Sequence, residues 1–293
     1  MQITDKKATK PIKRSSQFRM EMLRLRRHKP AMIGLGITII IILVAAFAPW
    51  IAPFDFADQN LDRRVESPSG DYIFGTDHLG RDVFSRIVYG SRIAIMVGLV
   101  VVLIEAGIGI TLGLIAGYFG GRIDTFISGL TDTVWSFPPM VLAIGIVAVI
   151  GPGLFNVVTA IAVVSWAPFA RITRAKVQSV KEMEYVEAGR AIGESDFNLV
   201  VRYILPNIVA TNLILATLTM PSALLTASAL SFLGFGAQPP TPDWGAILSE
   251  GREYLRSAPW ISTFPGLAIL FTVLGFNFLG DGLRDAFDPR LKL

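Results

Sequence analysis

Few side chains in this sequence could do chemistry, and their types and spacing narrow the kind. With no cysteine among its 293 residues, the chain has no thiol nucleophile, disulfide framework, iron–sulfur cluster or cysteine-ligated zinc site. The only two histidines, His28 and His78, lie far apart, and no cluster of histidines and carboxylates suggests a metal site. No Gly-Lys dipeptide occurs, so a phosphate-cradling G-x-x-x-x-G-K-[ST] loop is impossible. No paired nucleophile and base suggests a hydrolase. What remains is two acids within apolar runs, Glu105 and Asp132, and one polar segment, Glu184 to Pro206. An ionisable group inside such a run is a functional candidate by default. Glu105 is expected either to face a path and attract an amine or cation, or to bond to another span or a neighbouring chain. Asp132 is expected to pair with Arg122 or with a basic residue of another chain. Trp135, Phe137, Pro138 and Pro139 suit a gate on a kinked helix or an ordinary packed interface.

The elements that must position these groups are set by composition. Hydrophobic residues make up 52% of the chain and charged residues 17%, where a soluble domain carries about 25% charge. The excess apolar surface requires a bilayer. Residues 31–51 contain no charge, and about 20 apolar residues at about 1.5 Å rise each cross the hydrocarbon. Ala46-Phe47-Ala48 resembles a signal-peptidase site, but the preceding basic region and the apolar stretch are too long for a signal peptide, so this is a retained first span. Five more are expected at about 93–119, 126–150, 154–170, 207–233 and 261–279. Twenty of the 27 lysines and arginines then fall on one side and seven on the other. That bias places both termini in the cytoplasm. Residues 1–30 hold ten of those cations and form a basic tail that suits anionic headgroups better than nucleic acid. Residues 52–92 form an outer segment, 93–284 the core with an inner loop at 171–206, and 285–293 a second tail. In the outer segment Leu79, Val83 and Ile87 recur at helical spacing. They predict a short helix lying in the interface, or equally one packed on the tops of the spans.

The inner loop reads EYVEAGRAIGESDFNLVVRYILP. Its apolar spacing and the break at Gly193 to Asp196 predict two short helices joined by a turn, with Ser195 capping the second and Pro206 ending the unit or opening the next helix. An ordered helical elbow needs something to dock on it; the plain alternative is an amphipathic loop resting on the membrane. Glu187-Ala188-Gly189, Gly193 and Leu205-Pro206 resemble the EAA loop of the membrane subunits of bacterial binding-protein-dependent ABC importers. The sequence departs from the usual pattern with Gly189 at the second alanine and Tyr203 at the isoleucine. Gly75-Thr76-Asp77-His78-Leu79-Gly80-Arg81-Asp82, Ala237 to Gly245 and Gly280 to Asp285 are similar to the peptide and nickel permease branch of that family.

The resemblance implies an all-α polytopic protein of the type I ABC importer permease fold in the bacterial inner membrane. It implies a path shared with a homologous permease, two cytoplasmic ATPase subunits that bind ATP and Mg, and an extracytoplasmic substrate-binding protein. On this reading the chain is no enzyme and holds no cofactor of its own. The ATPases would grip the loop, with Glu187, Arg190, Glu194 and Asp196 supplying polar contacts and Ala188, Gly189 and Gly193 allowing close backbone approach. The cargo implied is short peptides, with nickel chelates or glutathione as alternatives. The rival class, an ion-coupled secondary transporter, needs an intramembrane relay, for which two isolated acids are thin.

Overall fold

A computed structural model describes residues 22–287; the expectations for the rest of the basic tail and for residues 288–293 lie outside them. Among the described residues the chain is helical throughout, joined by turns and one isolated bridge between Thr76 and Asp82. The ten principal helices are α1 (Lys29–Ala46), α2 (Val83–Phe119), α3 (Gly121–Trp135), α4 (Pro139–Ile150), α5 (Leu154–Ser165), α6 (Ala167–Lys181), α7 (Glu184–Ala191), α8 (Leu205–Phe232), α9 (Trp244–Gly251) and α10 (Trp260–Phe287). Among the described residues five helical stretches are long and apolar enough to cross a membrane, six if the bent pair α3 and α4 is taken as one span.

Several boundaries differ from the sequence expectation. Of the two placements expected for the 79–88 stretch, the structure shows packing on the tops of the spans, and the helix is the start of a longer one rather than a separate element. Asp82 caps α2 by accepting from the Ser85 N–H at 2.7 Å, and the helix then runs unbroken for 37 residues. Its first turns pack on the outer ends of the other spans, where Val83 is buried with Trp244, Ile247 and Ile261. The third span is two helices bent by 86°, because Pro138 and Pro139 cannot continue α3 and preset the first turn of α4. The fourth does not stop near Ala170. It breaks at Trp166, ahead of Pro168, and continues as α6 to Lys181. The fifth starts early: Ser195 caps residues 196–198, a π-helical stretch Leu199–Ile204 follows, and this flows into α8 with Pro206 in its first turn. The last span extends to Phe287.

Glycine sets the tightest helix contacts. Gly109, Gly113 and Gly117 form one edge of α2 at four-residue spacing, and they lie against Phe169, Thr173 and Val177, which recur at the same spacing on α6. A Cβ at Gly113 would stand 2.7 Å from the Thr173 Cβ, so α2 and α6 meet backbone to backbone. Such small-residue stripes let membrane helices gain packing that a lipid-facing leucine does not offer. The same device joins α1 to α10, where a Cβ at Gly34 would meet the Phe278 Cβ at 2.6 Å and one at Gly275 the Ile37 side chain at 2.9 Å.

Candidate cavity and inner elbow

The inner elbow is built from α7, the turn 192–195 and the π-helical stretch. Val186 and Leu199 are fully buried and pack with Tyr118, Val177 and Ile208, which anchors the elbow to the inner ends of α2, α6 and α8. Gly189 is buried because Leu199 lies across it; a Cβ there would meet the Leu199 side chain at 2.9 Å. Gly193 has a different task. Nothing lies within 4 Å of its missing Cβ, but its φ of +85° suits glycine, since the left-handed region costs other residues about 1–2 kcal/mol. That turn reverses the chain at the end of α7.

The charged residues of the elbow divide into two sets. Glu194 and Asp196 turn back on the protein. The Glu194 carboxylate accepts from Asn198 Nδ2 at 2.8 Å and lies 4.0 Å from Arg202, and the Asp196 carboxylate accepts from the Tyr118 hydroxyl at 2.5 Å. Lys181 donates to the Tyr118 carbonyl at 3.1 Å, so one residue of α2 is held from both sides. Glu187, Ala188 and Arg190 are exposed on α7. Two apolar residues of the elbow, Ile192 and Phe197, are 79% and 74% exposed. Leu205 is half-buried and Pro206 exposed at the start of α8.

At membrane depth the structure brings Glu105 and Trp135 to one cavity of about 240 Å³, and leaves Asp132, Phe137 and Pro138 off its wall. Glu105 is 2% exposed. Asp132 does not pair with Arg122. It faces α6, where Arg171 Nη2 donates to it at 2.6 Å, and the Arg171 guanidinium lies 4.1 Å from the centre of the Trp135 ring. Asp124 and Arg174 form a second pair between the same helices. Asp132, Arg171 and Arg174 line an inner groove of about 320 Å³. Phe137 is exposed within the α3–α4 break and Pro138 precedes α4. Sequence reasoning missed the hydroxyls of the Glu105 cavity, Ser165, Thr219, Ser222 and Thr226, because lone hydroxyls in an apolar run carry no pattern.

It also missed the outer charge cluster. Asp77, Arg81 and Arg86 are buried. The Asp77 carboxylate accepts from Arg81 Nε at 2.6 Å and Arg86 Nη1 at 2.5 Å; Glu250, from α9, accepts from Arg81 Nη2 at 2.8 Å and Arg86 Nη1 at 2.7 Å. His78 brings a third donor beside Asp77 and Glu250, at metal-ligand separations. Both carboxylates are already engaged by guanidinium groups, so the two acids and two arginines neutralise one another. Nearby, Asp243 caps α9 by accepting from the N–H groups of Gly245 and Ala246. Burial pushes its carboxyl up, against the pull of those donors.

Residues 109–293 match the family described as binding-protein-dependent transport system inner membrane component, and residues 16–68 match the N-terminal transmembrane domain of oligopeptide transport permease C. The chain is 46% identical over 277 residues to the dipeptide transport system permease protein of Alkalihalophilus pseudofirmus, covering 94% of this chain and 91% of that one. It is 44% identical over 271 residues to the di/tripeptide transport system permease protein of Pseudomonas aeruginosa, covering 90% and 89%. It is 43% identical over 291 residues to the glutathione transport system permease protein of Pectobacterium atrosepticum, covering 97% and 96%.

Proposed function

The chain belongs to the family of inner membrane components of binding-protein-dependent transport systems, and from that premise we propose that it forms half of an import path for di- or oligopeptides. A homologous permease supplies the other half. Two cytoplasmic ATPases, which bind the ATP and Mg, grip the elbow of each permease, and an extracytoplasmic binding protein delivers the cargo. Both termini lie in the cytoplasm in this arrangement, which the excess of basic residues on that side supports.

The observation that carries this reading is the elbow itself. It offers exposed Ile192 and Phe197 outward, while Asp196 and Leu199 hold it to the ends of α2 and α8. A force applied to α7 therefore reaches two spans directly. Moving an equilibrium from 1:99 to 99:1 takes about 5.5 kcal/mol of differential binding, which nucleotide binding at two sites supplies. The rocking of two bundles about the shared path then exposes it to one side at a time.

The names of the relatives support peptide cargo, and one of them supports glutathione, itself a small peptide. Uptake of radiolabelled dipeptide into sealed vesicles carrying the complete assembly tests the mechanism. The reading predicts loss of uptake on ATP depletion and persistence with a protonophore. Loss with the protonophore alone would make the chain an ion-coupled transporter instead.

A further inference from the structure

Two interruptions of regular helix converge on the Glu105 cavity. The break between α3 and α4 contributes Trp135 and Pro139, the break between α5 and α6 contributes Ser165, Ala167 and Pro168, and the unbroken α8 lines the space with Thr219, Ser222, Ala223 and Thr226. Glu105 itself sits about 20 Å along α2 from Arg92 and about 21 Å from Phe119, at about 1.5 Å per residue, hence near mid-depth. The Arg92 guanidinium donates to the Ala45 carbonyl at 2.7 Å, at the outer end of α1.

The wall of this cavity is rich in acceptors. Among the described residues Glu105 has no ion-pair partner, and it shares the cavity with the hydroxyls of Ser165, Thr219, Ser222 and Thr226. Thr219 donates its hydroxyl hydrogen to the Ala216 carbonyl at 3.2 Å, and Ser222 to the Thr219 carbonyl at 2.7 Å. With their hydrogens spent, their oxygens keep lone pairs for a ligand. Pro168 has no N–H for the Val164 carbonyl, and both residues line the cavity. The indole of Trp135 is the one donor in the wall that is fixed as such. A buried carboxylate without a cation is costly, and a ligand that fits this wall brings a positive charge and several N–H donors. At about 240 Å³ the space falls below the roughly 300–1,000 Å³ of a site for a drug-sized ligand, and well above what a bare cation fills. It suits one end of a short peptide.

We infer that the Glu105 cavity is a way-station for the N-terminal ammonium of the peptide in transit. The carboxylate takes the ammonium as a charge-assisted pair, and the Thr219 and Ser222 oxygens take its remaining hydrogens. The sister permease closes the open side. This rests on the peptide reading above and assigns the end of the cargo that the path recognises.

The test uses the complete assembly in proteoliposomes, with radiolabelled alanyl-alanine as probe and its binding protein loaded. The quantity read is peptides imported per ATP hydrolysed. In Glu105→Gln, which keeps shape and removes charge, it falls at least tenfold, the size expected for losing a hydrogen bond to a charged group; Glu105→Asp recovers most of it. The melting temperature of each purified assembly is measured alongside. If Glu105→Gln imports as many peptides per ATP as wild type, or if its loss follows a lowered melting temperature that Glu105→Asp shares, the subsite is overturned and the peptide reading stands. If the wild-type assembly hydrolyses ATP on command of its binding protein but imports no peptide, the peptide reading falls and takes the subsite with it.

Discussion

At position 193 the backbone, not the side chain, is what matters. Gly193 holds φ at +85° with open space where a Cβ would point. Substitution there tests strain and docking separately. Asparagine tolerates the left-handed region, alanine bears about 1–2 kcal/mol of strain, and tryptophan adds bulk where the proposed function docks an ATPase. ATP-driven uptake should therefore fall in the order Gly193→Asn, Gly193→Ala, Gly193→Trp, with all three variants inserted in the membrane. Equal uptake by the tryptophan variant would refute docking at this turn. The sequence marks this glycine clearly, because a turn between two helical patterns calls for one. Gly189 is less legible: what it requires is the approach of Leu199, ten residues on. The same holds for Asp132. Its need for a partner is readable from its apolar setting, but Arg171 rather than Arg122 is chosen by the packing of α3 on α6.

Among the elements, α2 and α6 form the closest pair, and the reason is a stripe rather than a single residue. Gly109, Gly113 and Gly117 present no side chain to Phe169, Thr173 and Val177. Gly113→Leu should force the helices apart and cost about 1–3 kcal/mol as overpacking, read as a lowered melting temperature of the purified assembly. Gly107→Leu, on the same helix with nothing within 4 Å of its missing Cβ, should leave it unchanged. That stripe is visible in the sequence as glycines four apart, but the helix it faces is not. The six apolar spans were legible from hydropathy alone. Their ends were not, because the outer start of α2 is capped by Asp82 and covered by buried Val83 and Trp244 rather than by lipid. The start of α8 is similarly obscured: the π-helical stretch carries the helix back past Pro206 to Asp196.

Across the whole molecule, two polar assemblies stand at opposite ends of the same spans. The outer one joins Asp77, Arg81 and Arg86 to Glu250 across more than 160 residues of sequence, a pairing that no local pattern announces. Removing one member of such a buried network typically costs about 3–5 kcal/mol because it strands a charge, so this end is built to stay put. The inner assembly is the exposed elbow. Between them, the breaks in α3–α4 and α5–α6 and the 219–226 stretch of α8 surround the Glu105 cavity. A rigid outer end, interrupted helices at mid-depth and a presented inner lever suit a wall that is moved by another chain. The absence of cysteine from the sequence allows that to be tested at one atom. Ile192→Cys, at a site 79% exposed, gives a single thiol on the elbow. ATP-driven peptide uptake is then measured in assembled proteoliposomes, with the permease labelled by a bulky maleimide before or after the ATPases are added. The account predicts that labelling first abolishes uptake and that bound ATPases shield the thiol. Full labelling in the presence of the ATPases, with uptake against a gradient undiminished, would contradict it.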